Sequence, residues 1–600
     1  MEAQGQSVAS LLAGEKRFII PYYQRSYVWG EPQWERFLED MEYVSKSNRP
    51  YFIGSVILKQ ISTSSFEAIG NQRVVIDGQQ RLTTLAVFFK VLSLLKNKPE
   101  LFSQYFMNQL DEEGLQRECK IYHNRLDRPF FDRIVDLDAT TDLLTNDNGT
   151  YYDTDGKEVK QPNRILLMYQ YFLSSIRGKI DRFSFKIPSL VQFVSIDITP
   201  SEDEQQIFDT VNSLGVELTT TELLKNYLFN EGNEDDFNQW WVPMFEKNDS
   251  TRNYWNTKVV SGVKRPLLID VFFNAFFMVM IHNDRFGVTA EEKLKYMRSE
   301  ELFSSYRDFV RVHLDGKRSE LVREINLAAK LFKEFFDPNI RYKAITGDNN
   351  SDRINEMIFS IDKAVLIPYV LYLLMYAETA EREKIFSVLE SYIMRRSVCK
   401  SDTRGYSRFF SDSLLTNKIL TSDALEEYIG QMENKLLSMP CDEDLKNGVQ
   451  NEYRVNSQNI GVLYMLETKI RSSMSATDLK GIASYSLEHL MPRTWKLTWD
   501  LSGLSDETIS KRDGSLWKLG NLAILPLKLN TAISNGRWET KVAGNKKGRG
   551  LRECANGLVT LSKYLELPEW TEDTIESRAL DLYDSMVKVW PEYHTKRLYR

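Results

Sequence analysis

Cysteine is nearly absent from this chain, with four in 600 residues, and histidine is almost as rare, with five. Cys119, Cys399, Cys441 and Cys554 lie far apart and form no CxxC pair. That spacing argues against both a disulfide framework and a cysteine zinc site. No GxxxxGK[ST] occurs, so a Walker A nucleotide loop is excluded. The longest apolar runs, Leu267 to Ile281 and Ala364 to Ala377, are too short to span a bilayer, and Asp270 and Asn274 interrupt the first. The opening Met1-Glu-Ala-Gln-Gly-Gln-Ser7 has neither the basic nor the apolar segment of a signal peptide. No 20–50-residue repeat is visible. A cytoplasmic protein with no membrane partner is expected.

What is present is ordinary in bulk and uneven in detail. Hydrophobic content of 42% and charged content of 27% fit a soluble globular chain, and 600 residues imply two to four domains. The net charge of −7 hides a segment from Lys511 to Arg552 with ten basic and two acidic residues. That segment carries +8 and leaves −15 for the remainder. Positive charge gathered in one place is what phosphate docking requires.

The same region holds the one histidine with a chemically suggestive setting. Ser486-Leu-Glu-His-Leu-Met-Pro492 is followed by Leu519-Gly-Asn-Leu-Ala-Ile-Leu525, then Asn530 and Lys541. A strand, a strand and a helix at this spacing bring His489, Asn521 and Asn530 together. Hydrolysis of a phosphodiester needs a base that works near neutral pH, and imidazole suits it. Asn521 is expected to fix the ring's orientation. Glu488 and the amide oxygen of Asn530 are expected to hold Mg2+ or Mn2+, a cation that keeps water and phosphate for its remaining ligands. Lys541, with Arg537, Lys546 and Lys547, is expected to contact the DNA phosphates.

Near the other end, Phe52 to Leu58 and Arg73 to Ile76 read as strands. The second runs through Asp77-Gly-Gln-Gln-Arg81 into an apolar helix from Leu82 to Leu95. A strand, a glycine turn and a helix N-terminus form a natural anion site. Gly78 permits close approach, Arg81 can fork onto a phosphate, and Asp77 can orient that arginine. An Asp–Arg pair that merely pins the turn accounts for the same residues. Tyr22, Tyr23, Tyr27 and Trp29 are expected to be core rather than a base-stacking surface. Thr140 to Asn163 reads as an exposed excursion, with a hairpin across Asp155-Gly156. Between Glu231 and about Leu437 nearly every segment has helical periodicity.

Both ends resemble the GmrSD-type modification-dependent restriction enzymes. At the N-terminus the resemblance rests on Ile-Pro-x-Tyr-Gln-Arg-x-Tyr-x-Trp, Asp77-Gly-Gln-Gln-Arg-Leu-Thr-Thr-Leu85, and Ile207 to Asn212 with Gly215, Leu218-Thr219 and Leu224-Lys-Asn226. At the C-terminus it rests on Glu-His-x-x-Pro, Gly-Asn-Leu, Asn530 through Lys541, and Trp570 to Arg578. Arg395-Arg396 also fits, though a helix C-terminus attracts such charges anyway. The resemblance implies a multidomain, predominantly α chain with α+β ends. A ParB/sulfiredoxin-like domain would occupy 1–230, helices 231–440, and a ββα-metal (HNH) nuclease domain 441–600. It further implies binding and hydrolysis of a nucleoside triphosphate (ATP, GTP or another) by Asp77, Gly78, Gln79, Gln80 and Arg81, with Gln24 and Arg25 facing the same pocket. The expected activity is nucleotide-regulated cutting of modified or phage-derived DNA in antiphage defence, with self-association left open. Two rivals stay open: a nucleotide-hydrolysing DNA-binding regulator with an inactive nuclease fold, and a non-selective DNA or RNA nuclease.

Overall fold

The computed structural model describes residues 2–61, 69–109, 117–138, 151–152, 158–159, 163–199, 219–229, 234–260, 265–298, 302–432, 434, 436–451, 456–471, 479–499, 502–533, 535–545, 548–554 and 557–593. They divide into two compact units, Met1–Asn238 and Gln239–Arg600. Among them no helix is long and apolar enough to cross a membrane. The resemblance motif from Ile207 to Leu218 and residues Lys546 and Lys547 lie outside the described residues.

The first unit is built on a mixed six-stranded sheet. Its strands are β1 (Glu2–Ser7), β2 (Arg17–Ile19), β3 (Tyr51–Gln60), β4 (Gln72–Asp77), β5 (Ile121–Tyr122) and β6 (Val191–Ile198), in the spatial order β1-β6-β3-β4-β2-β5. One face is covered by helices α1 (Glu31–Ser47), α2 (Gln79–Leu95) and α3 (Arg164–Arg177). Helix α1 buries Trp34, Phe37, Leu38, Met41 and Val44, the i, i+3, i+4 stripe of an amphipathic helix. Helix α2 is apolar nearly all round, so it sits inside, with Phe88 packed between Phe37 and Phe172. Tyr23 and Tyr27 belong to the core, and the Tyr27 hydroxyl bonds Thr84 Oγ1 at 2.7 Å while accepting from Trp34 Nε1 at 3.0 Å. The short strands Tyr151–Tyr152 and Glu158–Val159 pair antiparallel, while the turn expected across Asp155-Gly156 lies outside the described residues.

His123, just beyond β5, is buried against Phe131, and its Nε2 lies 3.1 Å from Thr83 Oγ1. Burial alone pushes its pKa down from 6.5 to about 3. The unfolded chain therefore takes up a proton near pH 6.5 that the folded chain refuses until about 3. Stability should fall as pH drops through that window, by up to ~1.4 kcal/mol per pH unit. In urea unfolding followed by circular dichroism, His123→Gln should lose less stability than wild type between pH 7 and 5. Identical losses would contradict a buried neutral ring.

The second unit is mainly helical. Helix α5 (Leu268–Ile281) is buried over almost its whole circumference. The helical periodicity of the sequence runs on from Arg353 to Ala377, but the structure does not form one helix there. It breaks into α6 (Asn350–Phe359) and α7 (Ile367–Tyr376), with Asp362 at φ +58° and Pro368 in the first turn of α7. Proline lacks the N–H to continue a helix but fits the start of one, so the chain restarts there. Helix α8 (Thr379–Val398) ends in Arg395 and Arg396, which are wholly buried rather than solvated. Arg395 donates to the carbonyls of Pro440 and Trp590 and to Asp442, and Arg396 to the carbonyls of Ser438, Leu436 and Asp402. Helix α9 (Asn456–Ile470) leads to the pair β7 (Tyr485–His489) and β8 (Leu522–Pro526), then α10 (Leu527–Ile533), α11 (Trp538–Ala543) and α12 (Glu572–Val589). The strand–strand–helix order expected around His489 is thus present, within a mostly helical, multidomain chain.

Candidate active site

Strands β7 and β8 pair antiparallel, with His489 opposite Leu522 and Glu488 opposite Ala523. The turn before β8 is held from behind. Gly520 lies so close to α12 that an added Cβ would sit 2.0 Å from the Ile575 carbonyl. Arg578, fully buried on that helix, donates to the carbonyls of Gly520 and Leu522, each at 2.8 Å.

This turn presents Asn521, whose carboxamide is fully committed. Its Oδ1 accepts from Met491 N (2.8 Å) and Trp570 Nε1 (3.0 Å), and its Nδ2 donates to the carbonyls of Met491 and Leu516, both at 3.0 Å. Leu490 N also donates to the Asn521 carbonyl at 2.9 Å. The expected bond from Asn521 to the imidazole is therefore not made. Its side chain clamps Met491 and its main-chain carbonyl holds Leu490, so both residues that follow His489 are tied to this turn.

The His489 ring meets Trp517 edge-on at 4.8 Å. Its Nε2 is buried and has no hydrogen-bond partner among the described residues. Burial first, then the charges of Arg493 and Lys541, lower its pKa from 6.5 to about 4. The imidazole is therefore neutral at physiological pH, the form that accepts a proton.

Glu488 and Asn530 flank the same strand. Asn530 Nδ2 donates to Ser486 Oγ at 2.8 Å and to the Leu487 carbonyl at 3.1 Å, leaving its carbonyl oxygen as the atom to offer a cation. Glu488 is largely buried, and one carboxylate oxygen takes a short ion pair from Lys541. Lys541 also donates to the His489 carbonyl at 2.8 Å and is wholly buried. Burial pushes the Glu488 carboxyl up and the Lys541 ammonium down, and each opposes the shift in the other. The expectation that Lys541 touches DNA is corrected by this burial: its ammonium already serves Glu488 and the strand. One carboxylate oxygen and one carboxamide oxygen suit a hard cation that keeps most of its water. Among the described residues, no group of three or more His, Cys, Asp or Glu forms an all-protein metal cage.

The basic run is also more internal than its charge suggested. Lys511, Arg512 and Lys518 pair with Asp573, Glu572 and Glu576 on the first turns of α12. Arg537 stays exposed, its Nε donating to the Thr498 carbonyl at 3.0 Å.

In the first unit, β4 ends at Asp77 and Gly78 caps α2 at φ +99°, as the strand–glycine–helix pattern predicts. An added Cβ on Gly78 would meet Val56 Cγ2 at 3.0 Å and the Ser55 carbonyl at 3.2 Å. Arg81 donates to that carbonyl at 3.0 Å and lies 3.7 Å from Asp77. Gln24 donates to the carbonyls of Val75 and Ile76, and Gln80 accepts from Val28 N. Gln24, Gln80 and the Asp77–Arg81 turn thus surround the end of β4, with Gln79 half-buried beside them. Arg25 pairs at 3.5 Å with Glu222 on α4 (Thr220–Leu228).

Two family models match the chain. That of the GmrSD restriction endonuclease N-terminal domain covers residues 8–229, and that of the GmrSD restriction endonucleases' C-terminal domain covers 439–584. The chain belongs to the GmrSD restriction endonuclease family. No curated protein matches it. The GmrSD N-terminal match contains the glycine turn of β4 and α2, and the C-terminal match contains His489, Asn521, Asn530 and Lys541. Membership makes this a restriction endonuclease, with DNA as its partner. Trp517 and Arg493 escaped the sequence reading because they lie in the insert between the two strands, where no periodicity or spacing distinguishes them.

Proposed function

We propose that this GmrSD family member cuts modified or foreign DNA by metal-dependent hydrolysis at His489. The carrying observation is the half-buried imidazole at the end of β7, whose buried Nε2 has no hydrogen-bond partner among the described residues. His489 Nε2 takes a proton from water as the water oxygen bonds to phosphorus and the bond to the sugar oxygen breaks. Asn521 holds the backbone beyond His489 so that the ring keeps its aim. Glu488 and Asn530 would hold Mg2+ or Mn2+, with Lys541 keeping Glu488 charged and placed. Such a cation supplies charge neutralisation for the phosphate and the departing oxygen. The test incubates the purified chain with unmodified DNA, base-modified phage DNA and RNA, with Mg2+, Mn2+ or chelator. Chelator-sensitive cutting of modified DNA alone is expected. Equal cutting of every substrate, or cutting in excess chelator, would remove this reading.

The N-terminal turn at Asp77–Arg81 is proposed to bind and hydrolyse a nucleoside triphosphate that licenses cutting. The backbone N–H groups of Gly78 and the residues that open α2 would face the phosphates. A purely structural turn is the rival, and the packing of Arg81 on Ser55 favours it. Triphosphate hydrolysis should fall at least tenfold in Asp77→Ala and Arg81→Ala. Unchanged hydrolysis in both would leave the turn a structural pin.

A further inference from the structure

With Lys541 buried under Glu488, the cation that meets the phosphate must come from elsewhere. Arg493 lies four residues past His489, just beyond the clamp that Asn521 places on Met491. Its guanidinium sits over the Trp517 ring, 5.7 Å from the centroid, and the His489 ring meets the same indole at 4.8 Å. Arg493 is exposed, and no carboxylate among the described residues pairs with it. The contrast with its neighbours is clear. Lys496 is taken by Asp513, and Arg512 by Glu572.

We propose that Arg493 is a catalytic residue of the nuclease centre, gripping the non-bridging oxygens of the scissile phosphate while Trp517 holds its guanidinium plane beside His489. The proposal rests on the nuclease reading above. A planar fork that stays charged at every working pH matches two phosphate oxygens, which a lysine ammonium does not. A cation–π contact with the indole lowers the cost of ordering a long side chain when the phosphate arrives. As the oxygens gain charge in the transition state the fork binds them more tightly, so its loss should fall on kcat more than on KM.

The experiment uses the full chain and bis(4-nitrophenyl) phosphate, a diester whose hydrolysis requires no DNA recognition, in saturating Mn2+. Arg493→Ala should lower kcat about 100-fold with the melting temperature unchanged. Arg493→Lys should recover only part of that loss, and free guanidinium ion should restore Arg493→Ala several-fold. A phosphorothioate diester should slow wild type more than it slows Arg493→Ala, because the contact to that oxygen is already gone. His489→Ala is run alongside to separate the two ideas. If His489→Ala is dead and Arg493→Ala is as fast as wild type, Arg493 is not a phosphate grip but the nuclease reading stands. Should His489→Ala keep full activity, or wild type be inert toward both this diester and modified DNA, both fall. A loss in Arg493→Ala that neither lysine nor guanidinium relieves, with a lowered melting temperature, would mark a structural role instead.

Discussion

Replacing His489 by alanine is expected to reduce metal-dependent cutting about 10²–10⁴-fold, the usual contribution of a positioned general base. The variant should fold normally. Among the described residues the ring's Nε2 has no hydrogen bond to lose, and the ring meets Trp517 edge-on. The pH profile gives a second and more diagnostic signature. A free imidazole would give an acid limb near 6.5, whereas burial in this site brings His489 to about 4. The base form is the deprotonated one, so kcat/KM in the wild type should hold as pH falls below 6 and fail only near 4. Cutting by His489→Ala within a few-fold of wild type would show that the proton is taken by another group. An acid limb near 6.5 would show that the ring is more hydrated than its packing against Trp517 implies.

The strands, the glycine turn and the order strand–strand–helix were legible because they depend on local pattern. β4 running into Gly78 and α2, the α1 stripe and the C-terminal pairing all come from alternation, a left-handed glycine and apolar periodicity. The side-chain assignments were less legible for a physical reason. Lys541 read as a phosphate contact because its charge is visible in the sequence, while its burial is decided by Glu488, 53 positions earlier. Asn521 reads as the orienter of the imidazole, but its side-chain partners Leu516, Met491 and Trp570 come from three different segments. The ten cations of the basic run looked like a surface, since nothing local reveals that α12 brings acidic residues to meet Lys511, Arg512 and Lys518. Arg395 and Arg396 read as an ordinary helix end and proved to be buried ties for the same reason. Charge is local in sequence; its neutralisation is tertiary.

That tertiary neutralisation is deepest at Glu390, where the second large effect is expected. Glu390 on α8 is 2% exposed, and its two oxygens accept from Arg353 Nε at 2.6 Å and Nη2 at 2.5 Å, and from Trp590 Nε1 at 2.8 Å. Arg353 on α6 is 0% exposed and also donates to Thr468 Oγ1 and the Met465 carbonyl on α9. One buried ion pair therefore ties α6, α8 and α9 to the segment that follows α12. Glu390→Ala leaves a guanidinium inside with two of its donors unmatched, which should cost about 3–5 kcal/mol in chemical unfolding of the second unit. Removing both charges tests whether the cost is the missing bond or the stranded charge. Arg353→Met with Glu390→Leu should be far less destabilising than Glu390→Ala alone, because neither charge is then left in an apolar interior. If the double variant were instead the worse of the two, the pair itself would be the source of stability. A Glu390→Ala cost below about 1 kcal/mol, the range of an exposed pair, would show that water reaches Arg353 after all.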